Sequence, residues 1–199
     1  MTGDELKSRL AIPPVSLPPL VEDFLYERTT FMITGAAGKG KSVLASQIAA
    51  CVSSATPLFG QLIVPTPRRV YYIQLEGSEH TFLNRLYYQK ESCPINWNNF
   101  YWDRDVKFNA LEPSSRNNKI ARIKSFGSPD LIILDPIYKA VAGDLAKAEI
   151  ALGLIHFLEL LEEQFHCTLI CFHHPHREKL DFKGKKIEEN DAYYGHSFL

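Results

Sequence analysis

The stretch Gly35-Ala36-Ala37-Gly38-Lys39-Gly40-Lys41-Ser42 matches the pattern GxxxxGK[ST] at every fixed position. The β-type run 28–34 that precedes it predicts a strand, and the apolar spacing from 41 to 53 predicts a helix. A strand, a glycine-rich loop and a helix in this order are the context that a phosphate-binding loop requires. The stretch therefore predicts an α/β fold built around a loop that holds phosphate groups.

The residue types of this loop suit that chemistry. Glycines permit backbone conformations in which successive N–H groups point at phosphate oxygens, and the helix N-terminus adds partial positive charge. Lys41 is placed to reach the β- and γ-phosphates of a nucleotide, and the Ser42 hydroxyl to bind Mg²⁺. The predicted nucleotide-binding residues are Gly35, Ala36, Ala37, Gly38, Lys39, Gly40, Lys41, Ser42 and Val43.

Strands and helices alternate along the rest of the chain. Further strands are predicted at 69–75, 100–103, 131–134 and 167–172, and further helices at 4–10, 80–90, 116–126 and 145–165. Strands that are apolar on both faces predict a mostly parallel sheet with helices on both sides. Residues 1–24 are rich in proline and predict an N-terminal arm, whereas 25–199 form the predicted core.

Composition narrows the class of protein. The 199 residues suit one domain, and 45% hydrophobic against 23% charged residues excludes a disordered chain. A net charge of -1 excludes broad attraction to nucleic acid, so such a contact must be local. The four cysteines form no CxxC pair, which favours buried free thiols. Without an apolar run of about 18 residues or a signal layout, we expect a cytoplasmic protein and no membrane partner.

Acidic residues follow two of the predicted strands. Asp135 closes the strand 131–134, at the edge where α/β sheets bind ligands, and its carboxylate suits Mg²⁺. Pro136 follows it, where some P-loop NTPases place the glutamate that activates water. A general base must therefore come from elsewhere, and Glu76, at the end of the strand 69–75, is the main candidate, with Glu79 as its competitor.

Two histidines follow the last predicted strand. His173 and His174 reach the same sheet edge, where either could hydrogen-bond the γ-phosphate and sense its loss. The segment His173-His174-Pro175-His176 lacks nearby cysteine or carboxylate partners, which disfavours a zinc site. The alternative is that both histidines are ordinary polar loop residues.

Taken together, these motifs resemble the RepA-like hexameric replicative helicases, which are RecA-fold ATPases. The resemblance covers roughly residues 12–199, and the motifs that carry it are Pro18-Pro19, Gly35–Ser42, Tyr72–Glu76, Leu134-Asp135-Pro136, Phe172-His173-His174 and Gly195-His196-Ser197. It implies a RecA-like core that hydrolyses ATP between adjacent subunits of a ring or filament and translocates on single-stranded DNA. By position, it implies that Lys41 and Ser42 bind ATP and Mg²⁺, Asp135 the metal, and Glu76 acts as base. His173 or His174 would be the γ-phosphate sensor.

The sequence departs from this family at its end. In the family a Gly-Ser segment is soon followed by an arginine that enters the neighbouring subunit's site. Here His196 separates the glycine from the serine, and no arginine follows before Leu199. The resemblance therefore leads us to expect a chain truncated at the C-terminus, without its arginine finger.

A basic segment lies where RecA-type proteins carry a loop facing the central channel. Residues 177–186 hold five Lys or Arg side chains against two acidic ones, and Phe182 could stack on a base. The alternative is a solvated loop without a partner.

Three functions follow from these patterns. The first is an ATP-hydrolysing motor on DNA in replication or recombination, of helicase type. The second is a nucleotide-gated assembly or loading factor with slow turnover, against which Glu76 argues. The third is a P-loop small-molecule kinase, which needs clustered lid arginines. The arginines of the middle region are instead scattered, as Arg85, Arg104, Arg116 and Arg122.

Overall fold

The architecture is that of a computed structural model, which describes residues 2–12 and 16–174. Its strands are β1 (Pro19–Val21), β2 (Leu25–Tyr26), β3 (Thr30–Thr34), β4 (Val70–Gln74), β5 (Phe100–Arg104), β6 (Leu131–Asp135) and β7 (Thr168–His173). Its helices are α1 (Gly3–Leu10), α2 (Lys41–Ser54), α3 (Glu79–Gln89), α4 (Pro113–Phe126) and α5 (Ala148–Phe165), with a 3₁₀ turn at Ile137–Ala140.

Five of these strands form one parallel sheet in the order β3-β7-β6-β4-β5. The strand before the glycine-rich loop is thus separated from β6 by β7. Because all five strands run in the same direction, their carboxyl ends meet at one edge of the sheet. The segments that follow β3, β4, β6 and β7 are therefore brought to a common edge.

Helices cover both faces of this sheet. Tyr72 and Ile133 point into a hydrophobic layer shared with α2 and α3. Tyr71 and Ile132, one residue earlier in the same strands, point into the layer under α4 and α5. This alternation explains why β4 and β6 are buried at every position. The predicted α/β class, with a parallel sheet and helices on both faces, is confirmed.

Several element boundaries differ from the predicted ones. β3 begins at Thr30 rather than at residue 28, and its burial alternates because it lies at the edge of the described sheet. α4 begins earlier, at Pro113, a residue favoured in the first helical turn. α5 begins later, at Ala148, because the Asp144 side chain accepts a hydrogen bond from the Ala146 N–H (2.9 Å) and forms a turn before the helix.

The sequence did not predict the hairpin of β1 and β2. Its residues Leu20, Val21 and Leu25 are fully buried against the α2 and α3 layer. The hairpin spans the predicted division between the arm and the core at residue 25. That division stays a prediction. Within residues 2–12 and 16–174, none of the helices is both long enough and apolar enough to cross a bilayer.

Candidate functional site

The glycine-rich loop connects β3 to α2 at the carboxyl edge of the sheet. Gly38 and Gly40 have φ values of +74° and +79°, a region that side chains rarely adopt, which explains glycine at both positions. The Lys41 ammonium is largely buried and donates to the carbonyl oxygens of Gly35 (2.6 Å) and Ala36 (2.7 Å). The loop is therefore folded around the ammonium group of Lys41.

Charges from the other strand ends act on this lysine. Burial lowers the pKa of Lys41, while the negative charges of Asp135 and Glu76 oppose that shift. The structure thus brings Lys41, Asp135 and Glu76 into one electrostatic environment, as the sequence predicted from their positions after separate strands.

Asp135 ends β6 and is 3% exposed. Its Oδ2 accepts a hydrogen bond from the Tyr72 hydroxyl (2.6 Å), whereas its Oδ1 is buried and accepts none from the residues described. Burial raises the pKa of the Asp135 carboxyl, and the neighbouring hydroxyls of Tyr72 and Ser42 oppose that rise. The Ser42 hydroxyl therefore lies beside a carboxylate that has one oxygen free for another ligand.

This pair fits the magnesium ion that the fold class implies. A buried carboxylate oxygen without a hydrogen-bond donor and an adjacent serine hydroxyl are hard oxygen ligands of the kind that Mg²⁺ prefers. When bound, the ion would neutralise charge on nucleotide phosphates, which supply further oxygens.

Glu76 lies two residues beyond the end of β4, and its side chain is 40% exposed. Its Oε2 accepts a hydrogen bond from the Tyr138 hydroxyl (2.5 Å), and its Oε1 lies 3.8 Å from His174 Nε2. Glu79, the competing candidate, begins α3 and is exposed to solvent. The geometry favours Glu76 over Glu79 as the acid that faces the site.

The two histidines lie at the end of β7. His173 is the last residue of the strand, and its carbonyl oxygen accepts a hydrogen bond from the Gly35 N–H (3.3 Å) at the start of the loop. Burial and the charge of Lys41 lower the pKa of His174, while Glu76 and Asp135 oppose the shift. The lowered pKa favours the neutral imidazole of His174, which lies close to the candidate base. Among the residues described, no cluster of three metal-binding side chains occurs.

Four residues that the sequence analysis did not assign also belong to this site. Tyr72 and Tyr138 hold the two acidic side chains, and the charge of Arg85 lowers the pKa of the Asp135 carboxyl. Gln74 donates to the carbonyl oxygens of Glu76 (2.7 Å) and Ser78 (3.4 Å).

Some predicted features lie outside the residues that the structure describes. These are His176, the basic segment 177–186 and Gly195-His196-Ser197. The DNA contact and the missing arginine finger stay predictions.

The glycine-rich loop, the separated β3 and β6 strands and the acidic residues at one edge define a RecA-type P-loop ATPase. The model of the AAA domain family matches residues 3–179, and the chain belongs to this family. No curated protein matches the sequence.

Among solved structures, the chain is similar to a KaiC-like protein from the hyperthermophilic archaeon Pyrococcus horikoshii OT3. The TM-score is 0.52 at 16% sequence identity, and the alignment covers 81% of this chain and 72% of that chain. At this identity the likeness shows a shared fold, which is the predicted RecA-like core.

Proposed function

We propose that the protein is an ATP-hydrolysing motor of the RecA type that acts on single-stranded DNA in replication or recombination, in the manner of a helicase. The observation that supports hydrolysis is the convergence of three groups at one sheet edge. These are the ammonium of Lys41, the Asp135 carboxylate with its unpartnered oxygen, and the carboxylate of Glu76.

Each group has a role in this proposal. Lys41 exchanges its loop carbonyl partners for the β- and γ-phosphates of ATP, and Ser42 and Asp135 hold Mg²⁺. Glu76 orients the attacking water and accepts its proton. His174 hydrogen-bonds the γ-phosphate, and His173 links the end of β7 to the loop through its carbonyl oxygen.

The DNA partner and the oligomer rest on the sequence. The basic segment 177–186 would contact phosphates of single-stranded DNA, and the resemblance to RepA-like helicases implies a hexameric ring or a filament. In such an assembly the neighbouring subunit completes the ATP site.

The test is ATP hydrolysis by the purified protein with and without single-stranded DNA, at two salt concentrations. We expect DNA to stimulate hydrolysis, and the stimulation to fall at the higher salt concentration because phosphate contacts release counterions. Lys41→Ala should abolish hydrolysis, since the loop loses the ammonium group that is placed to reach the γ-phosphate. Lys90→Ala, at an exposed lysine of the α3 end, serves as the matched control.

Two outcomes contradict the proposal in different ways. Absence of hydrolysis with tight ATP binding would favour the nucleotide-gated assembly factor. Hydrolysis that DNA does not change at either salt concentration would leave an ATPase whose substrate is not DNA.

A further inference from the structure

Hydrogen bonds from three directions hold the main chain around Glu76. The Leu75 N–H donates to the Asp135 carbonyl oxygen (2.8 Å), and Gln74 Nε2 donates to the Glu76 carbonyl oxygen (2.7 Å). Next along the chain, the Arg104 guanidinium donates to the Gly77 carbonyl oxygen (3.0 and 3.1 Å). Gln74 is itself held by the Trp102 indole N–H (3.0 Å). The backbone position of Glu76 is therefore determined, but its side-chain torsions are not.

The side chain of Glu76 is held by a short hydrogen bond. Tyr138 donates its hydroxyl hydrogen to Oε2 (2.5 Å), from the 3₁₀ turn that follows the Asp135-Pro136 segment. The other oxygen, Oε1, lies 3.8 Å from His174 Nε2, which is longer than a hydrogen bond. The Tyr138 ring meets the His174 ring edge-on, with 5.6 Å between centroids, which fixes the direction of the tyrosine.

In this arrangement the two carboxylate oxygens of Glu76 have different roles. An exposed glutamate samples several rotamers, and a base must lie within hydrogen-bond reach of the proton that it accepts. With Oε2 occupied by Tyr138, the carboxylate is restrained, and Oε1 is the oxygen that lies toward His174. A general base needs one oxygen anchored and the other available.

We propose that Tyr138 is a positioning residue for ATP hydrolysis, which orients the Glu76 carboxylate so that Oε1 accepts the proton of the attacking water. This inference rests on the proposed role of Glu76. It adds a residue from a segment for which the sequence patterns assign no chemistry. Tyr138 is placed here by its contact with the base, so as a positioning residue its loss should slow turnover and leave nucleotide affinity unchanged.

The experiment is a double-mutant cycle with Tyr138→Phe, Glu76→Gln and the double variant. In the wild-type background, Tyr138→Phe should lower kcat about tenfold, the effect of one hydrogen bond to a charged group, with KM for ATP unchanged. In the Glu76→Gln background it should change kcat by less than about twofold, since the oriented base is already absent. Tyr88→Phe, at a tyrosine that is 82% exposed, is the matched control.

Binding of a fluorescent ATP analogue and the melting temperature of each variant show whether it is folded. The inference is overturned if Tyr138→Phe leaves kcat unchanged or raises it, or if it lowers kcat equally in both backgrounds. It is also overturned if Glu76→Gln retains wild-type turnover, because the base then lies elsewhere. If the wild-type protein hydrolyses no ATP, the proposed function is wrong together with this inference. If the wild type hydrolyses ATP and only the variants behave otherwise than expected, this inference alone is wrong, so the two failures are distinguishable.

Discussion

At the scale of single residues, the buried carboxylate of Asp135 accepts a short hydrogen bond from the Tyr72 hydroxyl (2.6 Å). We expect Tyr72→Phe to lower the free energy of unfolding by about 1–3 kcal/mol near neutral pH, because a buried charged acceptor loses its partner. Burial raises the pKa of Asp135, and the Tyr72 hydrogen bond opposes the rise by favouring the ionised form. The variant raises this pKa further.

The effect of this substitution therefore has a defined pH dependence. Above the Asp135 pKa of the variant, the difference in stability between wild type and Tyr72→Phe is fully present. It is lost as the pH falls through that pKa and then through the lower pKa of the wild type. Urea unfolding from about pH 8 downward measures it, with Tyr88→Phe as the exposed control. An equal loss at every pH would instead indicate a packing effect of the tyrosine ring.

The residues that the sequence identified and those that it missed differ in a physical respect. The glycine-rich loop, Glu76 and Asp135 follow from local spacing, since a strand end fixes where the next residue emerges. Tyr72 and Tyr138 act through partners 63 and 62 residues away in the chain. The hydrophobic periodicity of the sequence does not predict which of several tyrosines will contact a given carboxylate.

At the scale of elements, an ion cluster around the buried pair Lys119–Asp103 joins α4 to the end of β5. Lys119 Nζ lies 2.6 Å from Asp103 Oδ2 and 2.8 Å from Asp105 Oδ2, and Asp103 also pairs with Arg122 (2.6 Å). Lys119 is 1% exposed, so its charge is removed from water. Lys119→Met should lower the free energy of unfolding by about 3 kcal/mol, because it leaves two carboxylates with fewer counter-charges.

The control for this change lies on the same helix. Lys124→Met, at an exposed position, should alter stability by less than about 0.5 kcal/mol. In an Asp103→Asn background the cost of Lys119→Met should shrink, since the buried charge that it compensates is gone. Equal costs in both backgrounds, measured by urea unfolding, would contradict the ion-pair account.

Helix α4 also shows the limit of reading elements from sequence. Its existence was predicted, but its buried face includes Lys119, which polarity alone assigns to solvent. The partner Asp103 is 16 residues away, on a different element. The hairpin of β1 and β2 was missed for a related reason, since Pro18-Pro19 indicates an extended arm and burial of Leu20 comes only from tertiary packing.

At the scale of the whole molecule, apolar strands alternating with helices predicted the parallel sheet, and a parallel sheet has one carboxyl edge for every strand. The grouping of Lys41, Glu76, Asp135 and His174 could therefore be predicted without the strand order. The strand order β3-β7-β6-β4-β5 could not be predicted from the sequence, because it depends on which strand each connecting segment places beside the one before it.

Assembly is the prediction that belongs to this scale. If a neighbouring subunit completes the ATP site, binding of ATP at the loop should favour the oligomer by mass action. We expect light scattering of the complete protein to show a larger species with a non-hydrolysable ATP analogue than without it. Lys41→Ala should remove this difference, because the analogue no longer binds, whereas Lys90→Ala should retain it. A monomer in the presence of saturating analogue would mean that this ATP site functions within a single chain, and the proposed ring or filament would be wrong.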